Sequence, residues 1–258
     1  MNQSARAIES AAAELARTTD NLTFHGKVAF TYNPLVYAWE PHAEYIRRFA
    51  AGPRDILFVG MNPGPWGMAQ TGVPFGEIGF VRDWMGIAAK VRQPARSHPK
   101  KPVEGFACSR SEVSGRRLWG LMQARFETAE QFFSRHYVAN YCPLIFMEAG
   151  GKNLTPDKLP KEERQALFAA CDTHLLEIIA ALRPGYVIGV GKFAEQRIRA
   201  ALQAAESTEA GADAGPVVGS VLHPSPASPQ ANRGWAEQAT AQLVALGAWP
   251  ETTGRASD

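Results

Sequence analysis

The sequence has little of what metal-dependent and disulfide-stabilised proteins need. It contains three cysteines, Cys108, Cys142 and Cys171, and they form no CxxC pair. An odd number of cysteines at wide spacing argues against a disulfide framework, a zinc site and an iron–sulfur cluster. The six histidines form no HxH or HxxxH pair either. We therefore expect no metal and no cofactor.

Long apolar runs are also missing. No segment approaches the roughly twenty uninterrupted apolar residues that a membrane span requires. Glu9 and Glu14 interrupt the N-terminal residues, where a signal peptide has its apolar core. We expect a cytoplasmic monomer without a membrane partner, associated with the nucleoid if the source is bacterial.

The charge balance does not by itself indicate a polyanionic partner, because 27 basic residues against 25 acidic ones leave a net charge of only +2. Positive charge is concentrated in two places. Residues 92–101 form a Pro-rich stretch, here called the basic loop, with two arginines, two lysines and a histidine. Arg110, Arg116 and Arg117 lie among serines that can bind phosphate. A solvated surface is the commoner meaning of such clusters, and phosphate contact stays the alternative.

The pattern of short apolar runs separated by helical stretches predicts an α/β fold. A chain of 258 residues with 45% hydrophobic composition is globular, and we expect one domain over residues 1–258. The predicted strands cover residues 55–59, 136–144, 186–191 and 217–222. The predicted helices cover residues 3–17, 41–49, 112–125, 160–182 and 193–204. Four βα units with this alternation predict a parallel sheet. Residues 205–215 and 252–258 are expected to be mobile, since neither stretch can bury apolar surface.

The most informative stretch is GMNPGPWGMAQTGVPFG, residues 60–76, which we call the glycine-proline loop. It directly follows a predicted strand, and its five glycines allow close backbone approach while its three prolines fix the backbone. Asn62 lies two residues past the strand end, where open α/β sheets place their ligand crevice. An ordinary turn would explain an isolated Asn-Pro pair. The loop lacks the GxGxxG and GK[ST] patterns, so we expect no nucleotide cofactor.

A second stretch, HPSPASPQANRGW at residues 223–235, follows the last predicted strand and is called the histidine loop. Three prolines stiffen it and small residues keep its tip narrow, which favours insertion into a groove over packing in a core. A single histidine at a strand end is more often structural, but His223 opens on the same sheet edge as Asn62. Asn140, inside an apolar strand, either bridges neighbouring backbone or presents its amide to the edge of a heterocycle.

Together with NYCPLIF, CSRSEVSG, NLTP and residues 187–197, these two loops resemble the single-strand-selective monofunctional uracil-DNA glycosylases. The resemblance extends from about Phe24 to Trp235. It implies a three-layer α/β/α sandwich around a four-stranded parallel sheet. It also implies metal-independent hydrolysis of the N-glycosidic bond of uracil, and of 5-substituted uracils, in single- and double-stranded DNA at the start of base excision repair.

The resemblance implies a role for each matching residue. Asn62 would hold the attacking water and His223 would stabilise the departing base, as the two catalytic residues. Four residues would bind the substrate base: Phe75 by stacking, Asn140 by reading the imide edge, and Met61 and Gly64 by lining the pocket. The histidine loop would enter DNA through Pro224, Ser225, Pro226, Ala227, Ser228, Pro229 and Gln230.

The chain departs from the family at the tip of the histidine loop. Members from animals carry an arginine where this chain has Ala227, so we expect a smaller wedge and a weaker grip on duplex DNA. A non-catalytic DNA- or nucleotide-binding module is the alternative from a different class, because it would also use a basic surface and a stacking Phe75.

Overall fold

The computed structural model describes residues 1–207 and 215–251. Within these residues the α-helices are Gln3–Asp20 (α1), Pro34–Tyr37 (α2), Trp39–Phe49 (α3), Met68–Thr71 (α4), Val113–Phe126 (α5), Ala129–Arg135 (α6), Lys161–Leu182 (α7), Lys192–Glu206 (α8) and Trp235–Ala245 (α9). The strands are Phe30–Tyr32 (β1), Ile56–Gly60 (β2), His136–Asn140 (β3), Ile145–Met147 (β4), Asn153–Leu154 (β5), Tyr186–Val190 (β6) and Val217–Val221 (β7).

The main sheet has four strands in the order β3-β2-β6-β7. All three strand pairs are parallel, and the last residue of β2, Gly60, lies opposite the last residue of β3, Asn140. Strands β2 and β3 are buried along their whole length, which is typical of a parallel sheet covered by helices on both faces. The predicted sandwich around a four-stranded parallel sheet is therefore confirmed.

A second, antiparallel sheet of order β1-β4-β5 was not predicted from the sequence. Its strands have only two or three residues, too few to show an alternating pattern. The predicted strand at 136–144 is too long, because β3 ends at Asn140. Pro143 has no backbone N–H, and beyond it the chain turns into β4 of the small sheet.

Helices α6 and α9, and the single-turn helices α2 and α4, were not predicted from the sequence either. Helix α9 buries Trp235, Ala239 and Leu243, a spacing of four that places them on one helix face. Helix α8 continues to Glu206, so the first two residues of the segment predicted to be mobile are helical. Residues 208–214 of that segment, and the predicted mobile tail at 252–258, lie outside the described residues.

Helix α7 has the length and overall apolar composition that would suit a membrane span. It also carries charged residues in its first turn, and one face is buried through Leu167, Cys171, Leu175 and Ile178. A helix with one buried face packed on other elements is typical of the outer layer of a sandwich. Its position in the fold therefore accounts for its composition.

Candidate active site

The predicted site segments meet at the carboxyl edge of the main sheet. The glycine-proline loop begins at the end of β2, and Asn140 ends the neighbouring strand β3. His223 lies two residues past β7. Gly191 follows β6 with φ +97°, and a Cβ there would lie 3.1 Å from the Cβ of His223. The close approach of two strand ends thus requires glycine at this position.

Gly60 allows two of the predicted binding residues to approach each other. A Cβ at Gly60 would lie 2.6 Å from the Phe75 ring and would overlap the side-chain oxygen of Asn140. Both side chains are buried. The absence of a side chain at the end of β2 therefore creates the space in which an aromatic face and an amide lie side by side.

Phe75 has an unusual backbone conformation for a residue with a large side chain, with φ +53°. Its carbonyl oxygen accepts hydrogen bonds from Trp119 Nε1 at 3.0 Å and from the backbone N–H of Glu77 at 2.7 Å. These two bonds hold the strained backbone in place. The ring centroid lies 6.5 Å from that of His223, so the aromatic face and the imidazole border the same space.

Asn62 is half-buried, and one end of its amide is already used. Its Nδ2 donates to the carbonyl oxygen of Leu144 at 3.1 Å. This bond fixes the orientation of the side chain and leaves Oδ1 as the atom that can accept a hydrogen bond from water.

The tautomer of His223 follows from its own loop. The backbone N–H of Ser225 donates to Nδ1 at 3.1 Å, so Nδ1 acts as an acceptor and Nε2 carries the proton in the neutral ring. Burial lowers the pKa of His223, because it disfavours the charged imidazolium. The site therefore presents a neutral N–H donor at Nε2.

Asn140 ends β3 with its side chain buried. Its Nδ2 lies 3.4 Å from the sulfur of Met68, which is a weak acceptor. Because that contact is weak, most of the hydrogen-bonding capacity of this amide remains available to a ligand.

Met61 and Gly64 adjoin Asn62 on the glycine-proline loop. The carbonyl oxygen of Met61 accepts the backbone N–H of Cys142 at 2.9 Å, which extends the pairing between the two strand ends past β2. A Cβ at Gly64 would lie 3.1 Å from Oε1 of Glu112, so this glycine faces an acidic side chain. The structure thus places both residues beside Asn62 without giving either a contact that identifies its role.

Arg117 braces the histidine loop, a role that the sequence did not indicate. Its Nη1 donates to the carbonyl oxygens of Pro224 at 3.0 Å and Ser225 at 3.3 Å. Its Nη2 donates to Oδ1 of Asn232 at 2.8 Å. The sequence suggested Arg117 as a phosphate contact. In the structure its guanidinium instead holds the start of the histidine loop and Asn232 near its end.

The far end of the histidine loop is fixed as well, since Trp235 Nε1 donates to the carbonyl oxygen of Leu222 at 2.6 Å. Between its two braced ends the loop is exposed at Pro226, Ala227, Pro229 and Gln230, while Pro224 is buried and Ser225 and Ser228 are half-buried. The loop is therefore a rigid protrusion beside His223, in agreement with the shape predicted for it.

Glu112 is the site residue that sequence reasoning missed. Its carboxyl group packs on the backbone of the glycine-proline loop, where a Cβ at Gly67 would overlap it. Its Oε2 is buried and has no hydrogen-bond partner within the described chain. Burial, together with the nearby charge of Glu77, raises the pKa of Glu112 to about 7. The sequence showed only the start of a helix here, and no spacing rule connects this residue to glycines more than forty positions away.

The described residues contain no group of three or more His, Cys, Asp or Glu side chains arranged to hold a metal ion. The arrangement at the sheet edge instead combines an aromatic face, two amides and a neutral N–H donor. Such a set can bind a flat heterocycle, stabilise negative charge that develops on it and orient a water molecule.

Comparisons with known proteins agree on one family. A model of the uracil DNA glycosylase superfamily matches residues 48–245. The single-strand selective monofunctional uracil-DNA glycosylase of Rattus norvegicus is 48% identical over 236 residues, covering 92% of this chain and 82% of the relative. The corresponding protein of Bos taurus is 47% identical over 232 residues, covering 90% and 83%. A crystal structure of wild-type Pedobacter heparinus SMUG2 covers 92% of this chain and 97% of its own with a TM-score of 0.61 at 17% identity, which supports the fold.

Proposed function

The chain belongs to the uracil-DNA glycosylase superfamily, and from that premise we propose how its site removes uracil from DNA. The enzyme is a monofunctional uracil-DNA glycosylase, which hydrolyses the N-glycosidic bond and so starts base excision repair. Its partner is DNA. The alternative of a non-catalytic binding module is set aside, because relatives with nearly half of their residues in common are named as glycosylases.

The observation that carries the mechanism is the meeting of Asn62, Phe75, Asn140 and His223 at one sheet edge. A uracil extruded from the strand stacks on the Phe75 ring, and the Asn140 amide pairs with the imide edge of the base. Extrusion costs a few kcal/mol of unstacking. Insertion of the histidine loop, residues 223–235, offsets that cost by filling the vacated stack.

Cleavage of the glycosidic bond places negative charge on uracil and positive charge on the deoxyribose. The Nε2–H of His223 donates to the O2 oxygen of the departing base, and a neutral donor suffices because the base leaves as an anion held by a preorganised hydrogen bond. Its Nδ1 is occupied by the N–H of Ser225. The imidazole therefore enters the reaction already in the required tautomer.

Asn62 orients water through Oδ1, since its Nδ2 is held by Leu144. An amide does not accept a proton as a carboxylate does. The glycosidic bond therefore breaks largely before water attacks, and the cationic sugar draws in the oriented water. Lys192, two residues past the end of β6, has an exposed side chain that pairs with Glu195 at 2.9 Å, and we expect it to form no Schiff base.

The same proposal covers the range of substrates, the lack of a cofactor, the oligomeric state and the cellular location of the enzyme. The enzyme accepts 5-substituted uracils as well as uracil, and it acts on single- and double-stranded DNA. It works without a metal or cofactor, as a monomer, in the cytoplasm or at a bacterial nucleoid. The buried, unpaired state of the three cysteines is compatible with a reducing compartment.

Incubation with an oligonucleotide that holds one uracil, followed by alkaline cleavage of abasic sites, tests the activity. The expected result is strand cleavage at the uracil position alone, with a thymine oligonucleotide of the same sequence left intact. An enzyme that binds the uracil strand but produces no alkali-labile site would refute the proposal.

A further inference from the structure

Two cations from separate parts of the sequence meet on one indole ring of the glycine-proline loop. The Lys101 ammonium lies 4.7 Å from the centroid of the Trp66 ring. The Arg110 guanidinium carbon lies 4.7 Å from the Trp66 ring centroid as well. Lys101 ends the basic loop, whereas Arg110 belongs to the second basic cluster. The tertiary structure thus joins two clusters that the sequence left as separate candidates for phosphate contact.

A fully buried side chain holds this arrangement together. Gln70 Nε2 donates to the carbonyl oxygen of Pro65, next to Trp66, at 2.9 Å and to that of Pro102, next to Lys101, at 3.0 Å. Its Oε1 accepts two further backbone N–H groups from the segment that follows Pro102. Gln70 therefore holds the basic loop against the glycine-proline loop, and the backbone of the fold places Lys101 next to Trp66.

The Arg110 side of the arrangement is fixed through helix α5. Arg110 lies two residues before Glu112, whose carboxyl group packs on Gly67 of the glycine-proline loop. Trp66 directly precedes that glycine. Gln70 thus ties the Lys101 segment to Pro65, and Glu112 ties the Arg110 segment to Gly67. Pro65 and Gly67 are the two neighbours of Trp66 in the sequence.

The two charges are not neutralised by carboxylates. Within residues 1–207 and 215–251, neither Lys101 nor Arg110 forms an ion pair, whereas Arg47 and Arg197 each pair with an acid. Arg110 is exposed, and Lys101 and Trp66 are half-buried. A cation held by an aromatic face keeps its full charge, so it remains able to bind phosphate oxygens.

We propose that Trp66, Lys101 and Arg110 form a binding site for the phosphate backbone of a single DNA strand, beside the uracil pocket. The site lies on the β2 side of the pocket, since Trp66 follows Asn62 by four residues in the same loop. The histidine loop borders the pocket on the β7 side, with β6 between them. The inference rests on the proposed function, because it takes the extruded nucleotide to enter between these two surfaces.

This strand-binding site contributes to DNA affinity in a different way from the histidine loop. The histidine loop fills a gap in a base stack, which is a property of duplex DNA. Phosphate contacts from Lys101 and Arg110 need no complementary strand, because they neutralise backbone charge and release counterions. The site therefore supplies affinity for DNA that is independent of base identity and persists when the strand is single.

The test measures binding of a uracil-free single-stranded oligonucleotide at several salt concentrations. We expect the double variant Lys101→Ala/Arg110→Ala to lose roughly tenfold in affinity at low salt, with a salt dependence shallower by about 0.7 in log–log slope for each phosphate contact removed. Arg6→Ala is the matched control. Arg6 is exposed on α1, whose N-terminal cap residue Asn2 approaches Gly52 at the opposite edge of the sheet.

Variants of Trp66 test whether the ring organises the cations. Trp66→Leu removes the aromatic face and is expected to reproduce much of the double variant's loss, whereas Trp66→Phe retains a ring and most of the affinity. Thermal unfolding of each variant checks that the loop remains folded. Equal binding by Trp66→Leu and the wild type would show that the cations do not depend on the indole.

Two results would overturn the strand-binding site: an unchanged affinity and salt slope in the double variant, or an equal loss in Arg6→Ala. Uracil excision by the wild type is measured in parallel, and it tests the proposed function rather than the strand-binding site. Absence of excision would refute the proposed function, while a selective loss of uracil-free strand binding in the double variant would still establish the strand-binding site.

Discussion

Asn62 and His223 are prepared by their surroundings in different ways. The amide of Asn62 is held at Nδ2 by a carbonyl oxygen, which leaves Oδ1 as the acceptor for the attacking water of the proposed mechanism. The imidazole of His223 is held at Nδ1 by a backbone N–H, and burial lowers its pKa so that the ring stays neutral. In both residues one end of the side chain is fixed by backbone, and the other end is the one to which the proposed mechanism gives a role.

Removing either of these side chains should impair chemistry more than binding. We expect Asn62→Ala and His223→Ala each to lower the single-turnover rate of uracil excision at least about a hundredfold, because each removes one preorganised interaction of the transition state. Affinity for abasic DNA should stay within a few-fold. A wild-type rate in either variant would remove that residue from the mechanism.

Asn140→Asp should relax discrimination between uracil and cytosine. A carboxylate accepts a hydrogen bond from the exocyclic amine of cytosine, whereas the amide donates to the corresponding carbonyl of uracil. Measured on paired oligonucleotides, uracil excision should fall and slow cytosine excision should appear. Full uracil activity with no cytosine activity would assign Asn140 a structural role.

Glu112 predicts a pH-dependent change in stability. Its pKa is raised from 4.5 to about 7 in the folded protein, so its protonated form stabilises the fold. That contribution is present below pH 4.5 and is lost as the pH rises through 7. Glu112→Gln mimics the protonated form, so the variant should exceed the wild type in free energy of unfolding by on the order of 3 kcal/mol at pH 8. The difference should shrink toward pH 5.

Urea unfolding at the two pH values measures this effect. Glu177→Gln is the control, because Glu177 is exposed in the middle of α7 and should give no comparable pH-dependent gain. A Glu112→Gln variant equal to the wild type at pH 8 would show that the folded protein carries this carboxylate without cost.

Among the elements, the histidine loop combines two fixed ends with an exposed tip. Arg117 and Trp235 hold its two ends, and the N–H of Ala227 donates to the hydroxyl of Ser225 at 3.2 Å. The methyl group of Ala227 is the only side chain that this position offers to a gap in a base stack. The loop that we propose as the wedge therefore has two fixed ends and a small tip.

Ala227→Arg should enlarge that wedge. An arginine at the tip adds stacking and phosphate contact that remain after cleavage, when the abasic gap is empty. The variant should bind abasic duplex more tightly, turn over more slowly, and gain more in excision from duplex than from single strands. Product dissociation and single-turnover rates on both substrates measure these effects. An unchanged abasic affinity, or equal gains on both substrates, would mean that the loop is not the wedge.

On the scale of the whole molecule, the parallel sheet brings the candidate catalytic and base-binding residues to one edge, and the mechanism that we propose there uses protein donors and no metal. No metal-binding cluster occurs within the described residues. Uracil excision should therefore persist in EDTA at the wild-type rate, with a divalent-dependent nuclease in the same buffer as a control for chelation. Loss of activity in EDTA and recovery on adding a divalent ion would contradict this mechanism.

The sequence by itself determined the parallel sheet and the two loops that carry the candidate catalytic residues. Apolar runs such as residues 55–59 have a local signature, and Asn62 and His223 follow strand ends, so their shared sheet edge follows from topology. The small antiparallel sheet could not be predicted in this way. Strand β1 pairs with β4 across more than a hundred residues, and strands of two or three residues leave no periodicity to detect.

Only the tertiary structure decided which polar side chains work together. The bonds from Arg117 to Pro224 and Ser225 span more than a hundred positions, Glu112 packs on Gly67 across forty-five, and Lys101 and Arg110 share the ring of Trp66. A charged residue in a sequence looks the same whether it faces solvent, braces a loop or lies buried. Its role depends on the backbone that other elements place around it, and that backbone exists only when the chain is folded.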